Sequence, residues 1–332
     1  MKFFVNSAHL IFLTLFFFSL VFYLERVAFI DSSYHLFKLI NAESLTFEAG
    51  RYGAFLTKWP ALLMIKLGAS LKIVMLVFSS WFIVWYYLIF LFITYVLNNK
   101  TVGIALALSL VTGYGDTFFH CVTETHQALA YCLLFYSWFS NPLKLNFAIQ
   151  LVIGLVIIIL AFLSHPISVL VILVLLGFHL VKDNNYKQIS NYLFLILLVI
   201  IVSLKLIFTD GNSYEGQFFD IKDLAHSFKD RMFNWVFYFR NIYFLYLTSS
   251  VAILVIGVNA IKRKTLPFIY TFLSSIVLLF LLMLIYKGGA NVMKERAILP
   301  FCTVVILFLI ELLLHSNAEK SLAKGSVVIG SL

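Results

Sequence analysis

The chain has 332 residues, 62% of them hydrophobic and only 12% charged, with a formal net charge of +9. The charged share is about half that of a soluble domain, so no water-soluble fold hides this much apolar surface, and the solvent is lipid. A backbone in lipid satisfies itself as helices or as a closed barrel. Barrel strands alternate every second residue, whereas these apolar runs are continuous and near the roughly twenty residues that a helix needs to cross. The expectation is an all-α polytopic membrane protein, with 1–332 as a single transmembrane domain.

In chain order, about ten spans are expected, over 8–24, 73–97, 102–113, 127–140, 146–164, 166–181, 191–208, 235–261, 266–286 and 298–314. The first run carries one basic residue, Lys2, and no small-residue cleavage site before Glu25, so it reads as an uncleaved span. The loop 25–72 follows. Glu25, Arg26 and Lys38 read as interfacial anchors. Asp31, ahead of Ser32 and Ser33, is expected to cap a short interfacial helix over 32–41. Partly desolvated there, the same carboxylate has a second reading as a general base. Arg51 in "EAGRYGAF" is either an anchor or a phosphate or sugar contact. "WPALLMIKLG" (59–68) reads as a second interfacial helix with Pro60 in its first turn.

The loop 113–126 is the richest in chemistry. "TGYGDTFFHCVTETHQ" (112–127) holds Asp116, His120, Glu124 and His126 with no Lys or Arg. His120 and Glu124 are four apart and are expected to share a helix face. That pair can orient a hydroxyl or serve as acid and base, and with Asp116 it forms an alternative site for a divalent metal. The plainer alternative is a solvated polar loop. His165 sits in the tight "LSHPIS" hairpin (163–168), placed to face the same cavity. In the loop 209–234, Ile221, Leu224, Ala225, Phe228 and Met232 fall at helical spacing. The loop 287–297 supplies Lys287, Lys294 and Arg296, with Arg296 at the mouth of the last span. They suit a phosphate whose tail lies in lipid, or serve as snorkelling anchors.

Lys2, Lys100, Lys144, Lys182 with Lys187, and Lys262, Arg263 and Lys264 all fall on one side of this arrangement. The positive-inside rule makes that side, and the N-terminus, cytoplasmic, and puts the longer loops on the extracytoplasmic face of the cytoplasmic membrane. No basic tract or module for nucleic acid is present. Cys121, Cys132 and Cys302 lack metal spacing and read as small apolar residues.

The pattern "ERVAFIDSSYHLFKLI … EAGRY … WPALLM", with acidic residues in "GDTFFHCVTETHQ" and an Arg followed by Pro in "KERAILP", resembles the GT-C superfamily of membrane glycosyltransferases. That resemblance implies sugar transfer from a polyprenyl-phosphate donor to a lipid, glycan or protein acceptor. It implies Asp31 as base and Arg296, with Lys294 or Arg51, on the departing phosphate. Asp116, Glu124 and His126 would position sugar or acceptor hydroxyls. Two other function classes stand beside it. One is a transporter or flippase of a lipid-linked or anionic substrate, although the polar residues collect at one face and no repeat is visible. The other is a non-catalytic subunit working with a membrane-protein partner in an envelope complex.

Overall fold

A computed structural model describes residues 1–48, 50–112, 117–121, 123–182, 189–208, 236, 238–240, 246–285 and 298–313. The described residues are helical, with no strand among them. The first helix, α1 (Lys2–Val21), breaks at Phe22 and passes into two short helices, α2 (Tyr23–Ala28) and α3 (Ile30–Ala42). A 3-10 turn at Tyr52–Ala54 leads into α4 (Phe55–Lys66). Gly68, at φ +71°, turns the chain into α5 (Leu71–Val96). Then follow α6 (Lys100–Ser109), α7 (Glu124–Ser140), α8 (Phe147–Ser164), α9 (Ser168–Lys182), α10 (Ile189–Phe208), α11 (Leu247–Arg263), α12 (Leu266–Ile285) and α13 (Ile298–Leu313).

Among the described residues, four helices are long and apolar enough to cross a membrane: α1, α5, α8 and α12. The ten spans expected from hydropathy are therefore not all of crossing length. Among the described residues, the segments expected at 102–113, 127–140 and 166–181 form helices of 10 to 17 residues, which fall short of the roughly 20 needed, while parts of those expected at 235–261 and 298–314 lie outside the described residues. The reason is visible in the packing. Nearly every residue of α7 and α13 is buried by protein. A helix enclosed this way meets side chains rather than lipid, so its length need not match the bilayer. Around that centre the long helices turn large apolar side chains outward, among them Leu10, Phe17, Val152, Leu273 and Val277.

The packing is antiparallel between chain neighbours. Early α1 meets late α5 through His9 and Tyr95, and late α1 meets early α5 through Ser19 and Ser79. α7 packs on α8 and α9, and α9 on α12. Close approach is permitted by small residues. At Gly177 a Cβ would lie 2.0 Å from the Tyr270 hydroxyl, which instead donates to the Val174 carbonyl at 2.9 Å. One end of the bundle gathers α2, α3, α4 and the start of α7. The other holds the α7–α8 link with Lys144 and a Lys182–Glu311 pair of 2.5 Å.

Three local expectations change. Asp31 is not the cap of α3. Phe29 takes that position, and Asp31 stands in the first helical turn, where its charge meets the helix dipole. Arg26 is not an interfacial anchor. It is fully buried, its Nε donating to Ser79 Oγ at 2.9 Å and Nη2 to the Ser79 carbonyl at 3.0 Å, with Phe118 stacked at 4.4 Å. Pro60 lies inside α4 rather than in its first turn, because the helix begins at Phe55. Proline offers no N–H to the carbonyl four residues back. That carbonyl, on Leu56, accepts from Trp81 Nε1 at 2.9 Å instead.

Candidate functional site

Four charged or titratable side chains from three helices and one connecting segment meet at the loop-rich end. α3 presents His35, the chain before α4 presents Arg51, α4 itself presents Lys58, and α7 begins with Glu124. Glu124 stands in the first turn of α7, where the helix dipole favours a carboxylate. Its Oε2 lies 3.5 Å from Arg51 Nη1, and its Oε1 lies 3.8 Å from His35 Nε2. On the far side of the imidazole, Lys58 Nζ is 3.2 Å from His35 Nδ1 and 3.0 Å from the Thr46 carbonyl.

This order fixes the histidine's tautomer. An ammonium has only donors, so Nδ1 accepts from Lys58 and the ring proton rides on Nε2, toward Glu124. Lys58 is 1% exposed and His35 6%, so both stand behind Glu124 and Arg51, which line the more open side. Burial, followed by the Lys58 charge, holds His35 below its ordinary pKa; burial likewise lowers Lys58. At the rim Lys38 bonds Glu48 at 2.6 Å, which holds that carboxyl below its usual range.

A neutral His35 makes stability depend on pH. Just below pH 6.5, the unfolded histidine binds a proton that the folded one refuses. The unfolded state then carries more protons, so stability rises with pH through this window. The contribution is fully present above 6.5 and is lost as pH falls toward the lowered native value. Thermal unfolding of the detergent-solubilised protein between pH 8 and 5 should therefore show a falling Tm below neutrality, and His35→Gln should flatten that slope. An unchanged slope in the variant would assign the pH effect elsewhere.

The floor of the site is a hydrogen-bonded ladder on α7. One turn past Glu124, Gln127 Nε2 donates to the Gly53 carbonyl at 2.6 Å and to Tyr131 OH at 3.1 Å. Gln127 Oε1 accepts from Thr57 Oγ1 at 3.4 Å, and Trp85 Nε1 donates to Tyr131 OH at 3.1 Å. Gly53 in turn abuts Ser164 at the end of α8.

The sequence-predicted residues divide. Arg51 and Glu124 come together, and Asp31 lies one helical turn before His35, close enough to raise that histidine's proton affinity through its charge. His120 and Glu124 do not share a helix face, because α7 starts only at Glu124. His120 lies before it, fully buried, edge-on to Phe29 at 4.8 Å. His126 points to its own helix start, Nδ1 bonding Thr123 Oγ1 at 2.6 Å, with Phe82 beside the ring. His165 closes the α8–α9 turn, its Nδ1 accepting from the Ile167 N–H at 3.2 Å. Asp116, Lys287, Lys294, Arg296 and the helical pattern in 209–234 lie outside the described residues. Among the described residues no group of three His, Cys, Asp or Glu side chains is arranged to hold a metal.

Lys58 escaped the sequence reading, since it looks like one more charge near a tryptophan. The available signal was its position inside "FLTKWPALL", a lone cation flanked by apolar residues on both sides. Gln127 and Thr57 carried no comparable signal. The chain matches no family model, no curated protein and no solved structure.

Proposed function

We propose that the loop-rich end is the site of a membrane-embedded glycosyltransferase that uses a sugar linked to a polyprenyl phosphate. The observation that carries this reading is that Glu124 meets His35 and Arg51, while Asp31, one helical turn before His35, acts on the same imidazole through its charge. In this reading the acceptor hydroxyl attacks the anomeric carbon, and the bond from that carbon to the phosphate oxygen breaks. The phosphate leaves with the electron pair. Asp31, half-buried on the first turn of α3, takes the hydroxyl proton. Arg51 meets the charge on the departing phosphate, a task suited to a planar guanidinium. Glu124 is already engaged by Arg51 and His35, so its part is to fix Arg51 and receive sugar hydroxyls. Lys287, Lys294 and Arg296 complete the phosphate contacts in the same proposal. The N-terminus is cytoplasmic and the site faces the extracytoplasmic side.

The test uses proteoliposomes supplied with radiolabelled polyprenyl-phosphate sugars and a mixture of lipid, glycan and peptide acceptors. Asp31→Asn should lower transfer by about 10²- to 10⁴-fold, the range of a lost general base, while insertion and Tm stay near wild type. Full transfer by both Asp31→Asn and Glu124→Gln would remove the assignment.

A further inference from the structure

Midway along α1 and α5, and running towards the end of the bundle that holds Tyr95, the two helices flank a groove of about 250 Å³. Its walls are Phe12, Leu13 and Phe16 on one side and Ile83 and Val84 on the other, with His9 and Tyr87 at one end. His9 Nδ1 lies 2.9 Å from Tyr87 OH, and Nε2 lies 2.6 Å from Tyr95 OH. The buried ring of Phe90 stands edge-on to the imidazole at 5.0 Å.

This triad is built by a departure from regular helix. Residues eight apart on an α-helix point about 80° from each other, which would turn Tyr95 away from the face that carries Tyr87. Over Phe92–Val96 the helix widens to a π turn, with the Leu97 N–H bonded to the Phe92 carbonyl five residues back at 2.9 Å. The extra residue brings positions 87 and 95 to within about 20° of one another. Both hydroxyls then reach one imidazole. Such turns cluster at functional positions, and here the turn supplies one arm of a polar clamp.

The clamp has a fixed donor balance. A neutral imidazole donates from one nitrogen to one tyrosyl oxygen and accepts the other tyrosine's O–H at its second nitrogen. Whichever way round this runs, one tyrosyl O–H is left to donate outside the triad. A ligand there offers an acceptor. Depth and surroundings narrow it further. Tyr95 is the last residue but one of a 26-residue helix. At about 1.5 Å per residue such a helix overhangs a hydrocarbon core of about 30 Å at both ends. The Tyr95 end of the clamp therefore lies near where hydrocarbon gives way to headgroups, the level of lipid ester carbonyls, and His9 reaches it from seven residues inside α1. The groove opens sideways between two helices of crossing length, and Leu13 on its wall is 65% exposed.

We infer that this groove binds one acyl chain of a membrane glycerophospholipid, with the ester carbonyl accepting from the His9–Tyr87–Tyr95 clamp. The inference is independent of the activity proposed for the other end. The protein is reconstituted in phosphatidylcholine vesicles doped with a phosphatidylcholine that carries a diazirine on one acyl chain, then irradiated, and the adducts are mapped by peptide mass spectrometry. Adducts should concentrate on Phe12, Leu13, Phe16, Ile83 and Val84. Leu13→Trp, which fills the groove from an exposed position and leaves the core untouched, should abolish that concentration. Tyr87→Phe, which trims the clamp alone, should reduce it severalfold. Even labelling of every outward-facing apolar residue, or labelling unmoved by Leu13→Trp, overturns the site. Retention of a polyprenyl lipid in place of phosphatidylcholine, read by native mass spectrometry of the purified protein, overturns the choice of ligand.

Discussion

Glu124→Ala is expected to destabilise the protein by about 3–5 kcal/mol, the cost of removing one partner from a buried charge cluster. Arg51 and Lys58 approach Glu124 from two directions, directly and through His35. Without the carboxylate, the buried Lys58 loses the nearest balancing charge and Arg51 loses one acceptor, while the imidazole between them cannot supply a negative charge. At a few degrees per kcal/mol, the Tm in detergent should fall by roughly 10 °C. Glu124→Gln should fall less, because an amide still accepts from Arg51 and His35. The electrostatic origin is checked by adding Lys58→Met to Glu124→Ala. If the cost is an uncompensated cation, the second change returns part of the lost Tm; if the two losses simply add, the cluster is not coupled in this way.

Gly53→Ala is the second large effect. The added Cβ would sit 2.2 Å from Ser164 Oγ, and also 2.7 Å and 2.9 Å from the Ser164 backbone nitrogen and Cα. A side-chain oxygen can swing aside, but backbone atoms cannot. The 3-10 turn at Tyr52–Ala54 and the end of α8 must therefore separate, at about 1–3 kcal/mol for overpacking. Arg51 precedes this turn, and the Gly53 carbonyl holds Gln127, so the shift reaches the Arg51–Glu124 pair. Displacements of about 1 Å at a reacting centre cost on the order of 100-fold in rate. The same order of loss is expected in the sugar-transfer assay. Ser164→Gly removes only the hydroxyl contact. Full recovery in the Gly53→Ala, Ser164→Gly double variant would show that the side chain, not the backbone approach, sets the limit.

How much of this was legible differs from residue to residue. Continuous apolar runs located the helices, because burial in lipid or in the bundle asks for the same composition. For that reason hydropathy could not separate α7, wrapped by protein, from α8, which meets lipid on one face. The importance of the stretches around Asp31, Arg51 and Glu124 was visible as charge interrupting apolar sequence. Their roles were less so. The expectation that His120 and Glu124 share a face assumed a helix already running at His120; the chain makes its turn there and starts α7 four residues later. The first-turn reading of Pro60 assumed that proline begins a helix, and failed because Trp81, a residue 21 positions on, satisfies the carbonyl that proline leaves open. Lys58 became meaningful only when α3 and α4 were brought together, since nothing local distinguishes it from an anchor.

The enclosure of α7 also bears on how that helix is held in the membrane. This helix carries Glu124, His126 and Gln127 at one end, buries nearly all of its length, and is 17 residues long. Lipid alone would hold it poorly, since each buried polar group there needs a partner from another segment. α8, by contrast, is 18 residues without a charge, long and apolar enough to cross a membrane. The short link between them leaves the two helices packed along each other. In the folded bundle α7 finds its polar partners on α4, α5 and α9, through Thr57, Trp85 and the Ser168 carbonyl.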